Sequence, residues 1–266
     1  MSRIDATFAR LRHENKKGFI AYITGGDPDL DRTRIIAAAL ERAGVDILEI
    51  GLPFSDPLAD GIANQLSAQR ALESGTNVPK LLGMIAEFRK TSELPIVIYS
   101  YLNPVLNYGF RKFHEDAAAA GVDGLLLLDL PPDEANRSAE LGNSSGLQRI
   151  LLIAPTTPAE RIAKITAAGA GFIYYVSREG VTGEQSSVAT SVPERVAMIR
   201  ATTKLPIAIG FGVSNPEQAA EVASAGDAVV VGSAIVKRIQ EHAADPKLGE
   251  KIYDFVKPLV DAAHGV

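Results

Sequence analysis

The chain has 266 residues, with 27 Lys and Arg against 32 Asp and Glu for a formal net charge of -5, and no cysteine. That balance leaves no basic face for a nucleic-acid backbone, and the lack of thiols excludes disulfides, zinc-thiolate sites and cysteine nucleophiles together. The opening MSRIDATFARLRHENKKG lacks the apolar core of a leader, and no apolar run reaches the roughly 20 residues of a membrane span, so a soluble, cytoplasmic protein is expected.

In chain order, short apolar or β-branched runs alternate with stretches of helical spacing. Strand Phe19 to Thr24 precedes helix Asp31 to Ala43, and strand Val45 to Ile50 precedes helix Val78 to Lys90. Strand Pro95 to Tyr101 leads to helix Phe110 to Ala120, and Val122 to Leu128 to helix Asp133 to Leu141. Then come strand Arg149 to Ala154 with helix Pro158 to Ala168, strand Gly171 to Val176 with helix Val192 to Ala201, strand Pro206 to Ile209 with helix Pro216 to Ala225, and strand Asp227 to Val231. Several runs are apolar at every position, LLLL at 125–128 among them, as suits strands buried on both faces of a parallel sheet. Eight alternations without a linker predict an α/β fold, one (β/α)8 TIM barrel over residues 1–266. Ala43-Gly44, Ala120-Gly121, Ala168-Gly169 and Ala225-Gly226 each place a glycine where a helix end wants positive φ.

In such a barrel chemistry sits at the C-terminal ends of the strands. None of His13, His114, His242 and His264 falls there, and each is expected on a solvated surface; no lysine lies there either. A histidine base and a histidine metal cluster are thereby disfavoured, and a Schiff-base mechanism loses its nucleophile. The carboxylates Asp27, Glu49, Asp56, Asp60 and Asp129 do fall there. Glu49 stands inside an otherwise apolar run, so it must be paired, protonated or employed. Asp27 and Asp129 suit turn formation or helix capping as well as chemistry. Near the other edge, GFGVSNPE (210–217) and GSAIVKRI (232–239) bring glycines to the loops after strands 7 and 8, and Gly232-Ser233 opens a short extra helix whose N–H groups attract an anion, a phosphate site unless these glycines only make tight turns. The loops at roughly 51–62 and 177–191 are the natural functional connections.

The segment LEIGLPFSDPLADG (48–61) resembles the signature of the tryptophan synthase α subunit family, as do ITGGDP (23–28), YLNPVLNYG (101–109), LLLLDLPPDE (125–134), YYVSREGVTG (174–183), GFGVS (210–214) and GSAIVK (232–237), in order and at family spacing. The resemblance implies retro-aldol cleavage of indole-3-glycerol phosphate to indole and glyceraldehyde 3-phosphate. It makes Glu49 the acid–base group and Asp60 the group that stabilises positive charge at the indole nitrogen. It also implies Tyr22 and Tyr174 in the indole pocket, Gly183, Phe211, Gly212, Gly232 and Ser233 around the phosphate, and Thr182 on a loop that closes over the site. No cofactor or metal is implied for this chain. The implied partner is a β subunit carrying pyridoxal phosphate, in an α2β2 tetramer, with Asp56 and Asn103 on the docking face. Two departures stand out: Ile62-Ala63-Asn64 follows Asp60-Gly61 where the family often has proline first and an apolar residue third, and Tyr99 replaces a more usual aliphatic residue. A stand-alone lyase releasing free indole shares every motif. A non-catalytic activator is disfavoured by the presence of both acids, and a phosphosugar isomerase leaves PFSDPLADG unexplained.

Overall fold

The computed structural model describes residues 1–130, 145–176 and 191–266. Its eight strands are β1 (Gly18–Thr24), β2 (Ile47–Gly51), β3 (Ile96–Ser100), β4 (Gly124–Leu127), β5 (Gln148–Ile153), β6 (Ile173–Val176), β7 (Ile207–Gly210) and β8 (Ala228–Val231), and they close into a parallel barrel in chain order. The described helices are α1 (Arg3–His13), α2 (Leu30–Ala43), α3 (Ile62–Glu73), α4 (Val78–Arg89), α5 (Leu102–Tyr108), α6 (Phe110–Ala119), α7 (Ala159–Ala168), α8 (Ser191–Arg200), α9 (Pro216–Ala225), α10 (Ser233–Glu241) and α11 (Leu248–His264). The expected fold is therefore present, with strand ends within two residues or so of the sequence reading and a short helix, α10, directly after β8. The expected helix 133–141 lies outside the described residues. Four described helices, α1, α3, α5 and α11, go beyond that reading.

Strand alternation sorts the side chains into two cores. Phe19, Ala21 and Ile23 of β1, Leu48 and Ile50 of β2, and Val229 and Val231 of β8 face outward into the layer under the helices. Ile20, Ile47, Val97, Leu126, Ile150, Phe172, Ala208, Ala228 and Val230 face inward and fill the barrel. Helix α1, begun by a reciprocal capping box between Ser2 and Asp5, joins this inner core with Ile4, Phe8 and Leu11. It covers one end of the barrel, the N-terminal end of the strands, where Gly18 approaches Leu11. The other end is left for the βα loops.

The recurring aspartate after a helix end is structural. Asp46, Asp123 and Asp227 each accept a backbone N–H from the start of a neighbouring strand, from Phe19 (2.9 Å), Ile96 (2.9 Å) and Ile207 (2.8 Å). Asp46 also accepts from Arg10 at 2.6 Å and pairs with His264 at 2.7 Å, joining α1 and α11 to the barrel.

Two readings of local sequence need correction. Gly44 and Gly121 do take positive φ, of 94° and 89°, but Gly169 (φ -82°) and Gly226 (φ -127°) do not. Gly226 is required by proximity instead, since a Cβ there would meet Ile209 Cδ1 at 2.8 Å and the Ile207 carbonyl at 2.9 Å. His114 is not solvated: it is buried on α6, with Nδ1 at 2.8 Å from the Phe110 carbonyl, and burial pushes its pKa down. His264, half-buried against Asp46, is likewise engaged in packing the shell.

Candidate active site

The inward parity that places Ile20, Ile47, Val97 and Phe172 in the inner core places Tyr22, Glu49, Tyr99 and Tyr174 one step higher on the same strands. Register brings Tyr22 opposite Glu49, and Tyr99 opposite Gly51. One step higher again, Gly51 and Gly210 leave space. A Cβ on Gly51 would stand 2.4 Å from the Tyr22 hydroxyl, and one on Gly210 would stand 2.9 Å from that of Tyr174. Glycines at the rim thus make room for the phenols below them, so that Tyr22, Tyr174 and Glu49 gather at the C-terminal mouth of the barrel.

Glu49 is 1 % exposed, and among the described residues neither of its carboxylate oxygens has a hydrogen-bond partner. Burial, and then the negative charge of Asp60, push its pKa up to about 8. At neutral pH such a group carries a proton and can donate it. Asp60, at the end of the loop between β2 and α3, is also buried but is held by hydrogen bonds. Tyr99 donates to Oδ1 and Tyr101 to Oδ2, both at 2.9 Å, and Asn64 Nδ2 stands at 3.5 Å from Oδ1. Burial raises the Asp60 pKa, and these donors oppose the rise by favouring the ionised form. The Tyr101 hydroxyl accepts from the Ala59 N–H at 2.9 Å, and the Gln65 side chain donates to the Asp60 carbonyl at 2.8 Å, so the backbone on either side of the carboxylate is tied to β3 and α3.

The tyrosines belong to the same network. Tyr22 packs edge-on against Tyr99, with centroids 5.1 Å apart at 70°. Its hydroxyl lies 3.3 Å from Thr24 Oγ1, which contacts Ser67 Oγ at 2.5 Å, and Ser67 donates to the Asn64 carbonyl at 2.8 Å. Burial and the charges of Glu49 and Asp60 raise the pKa values of Tyr22, Tyr99 and Tyr174, so all three stay neutral phenols.

Asp27 is no part of this cleft's chemistry. Its carboxylate receives the Arg70 guanidinium at 2.8 and 2.7 Å, which joins the β1 loop to α3. Asp129 accepts the Leu102 N–H at 2.7 Å at the start of α5, the capping use open to it from sequence. Asp56, on the loop after β2, and Asn103, at the start of α5 after β3, are both exposed. Beside Asp56 in the chain, Leu58 is 89 % exposed, and Ile62 and Leu106 are exposed on α3 and α5.

The expected anion-binding residues fall after β7 and β8. Phe211 is buried, Gly212 is exposed with φ 78°, a conformation that glycine alone adopts freely, and Gly232 is the N-cap of α10. No side chain caps that helix, so the N–H groups of its first turn, beginning with exposed Ser233, remain available to an anion. Thr182 and Gly183 lie outside the described residues. Among the described residues no three His, Cys, Asp or Glu side chains are grouped to hold a metal ion.

Sequence reasoning passed over Tyr101 and read Tyr99 and Asn64 only as changes to a pocket wall. The parity of β3, with Val97 inward, was a signal for Tyr99; nothing local marks Tyr101, whose partner is 41 residues away.

The tryptophan synthase alpha chain family matches residues 8–263. The tryptophan synthase alpha chain of Opitutus terrae is 51% identical over 247 residues, covering 93% of each chain, and that of Geobacter sulfurreducens is 48% identical over 262 residues, covering 98% of this chain and 99% of the relative. Among solved structures, tryptophan synthase subunit alpha from Legionella pneumophila superposes with a TM-score of 0.89 at 37% identity over the full length of both chains. With a buried acid pair at the mouth of the barrel, and similarity of this extent in sequence and structure, the chain belongs to the tryptophan synthase alpha chain family.

Proposed function

We propose that the chain cleaves indole-3-glycerol phosphate to indole and glyceraldehyde 3-phosphate, with Glu49 moving the protons and Asp60 facing the indole nitrogen. The observation that carries this reading is the unequal treatment of two neighbouring buried carboxylates. Glu49 has no donor and a pKa of about 8, whereas Asp60 has two phenols donating to it. A proton available to the pair therefore sits on Glu49, and Asp60 is the anion.

Glu49 gives its proton to indole C3, and the ring becomes an indoleninium whose positive charge lies at the nitrogen beside Asp60. The Glu49 carboxylate then removes the proton of the glycerol hydroxyl next to the ring. The carbon–carbon bond breaks, its electron pair returns to the ring and neutralises the indoleninium, and the hydroxyl carbon becomes the aldehyde. The ring thus serves as the electron sink, with Glu49 restored to its protonated form. Gly212, Gly232 and Ser233 hold the phosphate with backbone N–H groups, Phe211 backs that site, and Tyr22 and Tyr174 flank the ring. Thr182 and Gly183 keep the roles their sequence context implies.

The partner is a β subunit in an α2β2 assembly, with pyridoxal phosphate in the β subunit and none in this chain. Asp56 and Asn103 lie on its docking face. Exposed Leu58, Ile62 and Leu106 support a face that meets another protein, because apolar side chains grouped at one end of a fold are costly to leave in water.

The test is indole release from indole-3-glycerol phosphate by the purified chain, with and without a β subunit. Slow release that the partner accelerates supports the reading. Release indifferent to the partner points to a stand-alone lyase, and no release in either condition overturns the assignment. Glu49→Gln is expected to abolish release while phosphate binding is retained.

A further inference from the structure

Asp60 must do two things if the proposed reaction is right: stay ionised inside a buried cleft, and keep one face of its carboxylate toward the ring. Of the three positions where the chain departs from its family's usual pattern, Ile62, Asn64 and Tyr99, the last two converge on this carboxylate. Tyr99 is anchored independently of the bond it makes. It sits at an inward position of β3, in register with Gly51 on one side and Leu126 on the other, and its ring is packed edge-on against Tyr22 at 5.1 Å. Its hydroxyl reaches Oδ1 at 2.9 Å while the Tyr101 hydroxyl reaches Oδ2 at 2.9 Å, so one phenol fixes each oxygen. The Asn64 amide, at 3.5 Å, adds little.

We infer that Tyr99 is a positioning residue for the proposed reaction: with Tyr101 it clamps the Asp60 carboxylate in one orientation and in its ionised form, so that the proton of the acid pair is reserved for Glu49. This rests on the functional reading above. Each phenol has a single proton, and both protons are spent on Asp60. An ionised carboxylate offers about four lone-pair sites, so two remain for a ligand N–H after both phenols have bonded. A protonated Asp60 would present one hydroxyl oxygen that is a poor acceptor, and the clamp would lose one of its bonds. The hydroxyls thus discriminate between the two protonation states, as hydrogen bonds to a carboxylate do generally. Glu49, on the adjacent strand β2, receives no such bond. The groups that face or electrostatically touch Asp60 are Tyr99 and Tyr101 from β3 and its end, Asn64 from α3, Glu49 from β2, Tyr22 from β1 and Tyr174 from β6. Among the described residues its hydrogen-bond donors are all uncharged, so each hydroxyl carries a large share of the stabilisation of the anion.

The experiment is Tyr99→Phe in the full chain with its β subunit, read as the pH profile of kcat/KM for indole release, together with the titration of Asp60 followed by carboxyl carbon NMR in a Glu49→Gln background. Phe keeps the ring against Tyr22 and removes only the donor. The acid limb is expected to move up by about one pH unit, because a hydrogen bond to a charged group is worth about that much. Asp60 should titrate higher by a similar amount, and kcat should fall about tenfold with KM within about threefold. A KM increase with an unmoved acid limb would make Tyr99 a pocket wall and overturn the clamp, as would an unmoved Asp60 titration. Should Tyr99→Phe fail to fold, 3-fluorotyrosine at position 99, a stronger donor, is expected to shift both readouts the opposite way, and no shift would again overturn it. If the parent chain releases no indole at all, the functional reading fails, while the Asp60 titration still decides whether the hydroxyl holds the anion.

Discussion

The hydroxyl of Tyr22 occupies the space that a side chain on Gly51 would need, with only 2.4 Å between it and a Cβ built there. Gly51→Ala therefore has to displace the Tyr22 ring, which in turn packs against Tyr99. The expected result is a folded barrel destabilised by about 1–3 kcal/mol, the usual cost of overpacking, with kcat/KM for indole release down at least tenfold. Thermal melting and steady-state assays of the same preparation check it. Parent-like turnover would mean that the position of Tyr22 is irrelevant to catalysis.

Glu49 gives stability a pH dependence of known sign. Its pKa is about 8 in the folded chain against 4.5 ordinarily. Between those values the folded state holds a proton that the unfolded state has released, so the group's contribution is fully present below about pH 4.5, declines as pH rises and levels off above about pH 8. Glu49→Gln is neutral throughout and lacks this decline. Relative to the parent, the variant is expected to gain roughly 4 kcal/mol between pH 5 and pH 8.5, measured by urea denaturation at both. A difference that stays flat across that range would mean that Glu49 is ionised in the folded protein. The same protonation governs rate: kcat/KM should fall as pH rises through about 8, where the acid that protonates C3 is lost.

The Asp27 carboxylate is 1 % exposed and depends on Arg70 for both of its oxygens. Arg70→Leu strands a buried charge and is expected to cost about 3 kcal/mol. Adding Asp27→Asn to that variant should recover part of the loss, since the stranded group is then neutral. Denaturant titration of the two variants and the parent forms the comparison; a double variant no better than Arg70→Leu alone would show that the pair acts through packing, not charge.

Strands were legible because each is a short apolar run between polar helices, and the buried environment of a parallel barrel leaves no other home for a segment such as 125–128. Helix α3 was not, because it begins inside the loop read as a functional connection, Ile62 following directly on Asp60-Gly61. The candidate acids were legible for a physical reason: a carboxylate at position 49, between Leu48 and Ile50, contradicts its surroundings. The hydroxyls that separate the roles of Glu49 and Asp60 were not legible, because Tyr101 and Asp60 meet only when the pairing of β2 with β3 brings the end of β3 beside the β2 loop. The same holds for Gly226, whose requirement is set by a neighbouring strand and not by its own turn.

Helix α1 stoppers the barrel, with Ile4, Phe8 and Leu11 packed under the inward layer that includes Ile47 and Phe172. Among the described residues, the interior below Glu49 is a cul-de-sac filled with hydrocarbon. Whatever binds at the acid pair enters and departs by the rim where the loops after β2, β3, β7 and β8 gather. Traffic is thereby one-ended, and a protein seated over that rim becomes the custodian of whatever the cleft lets go.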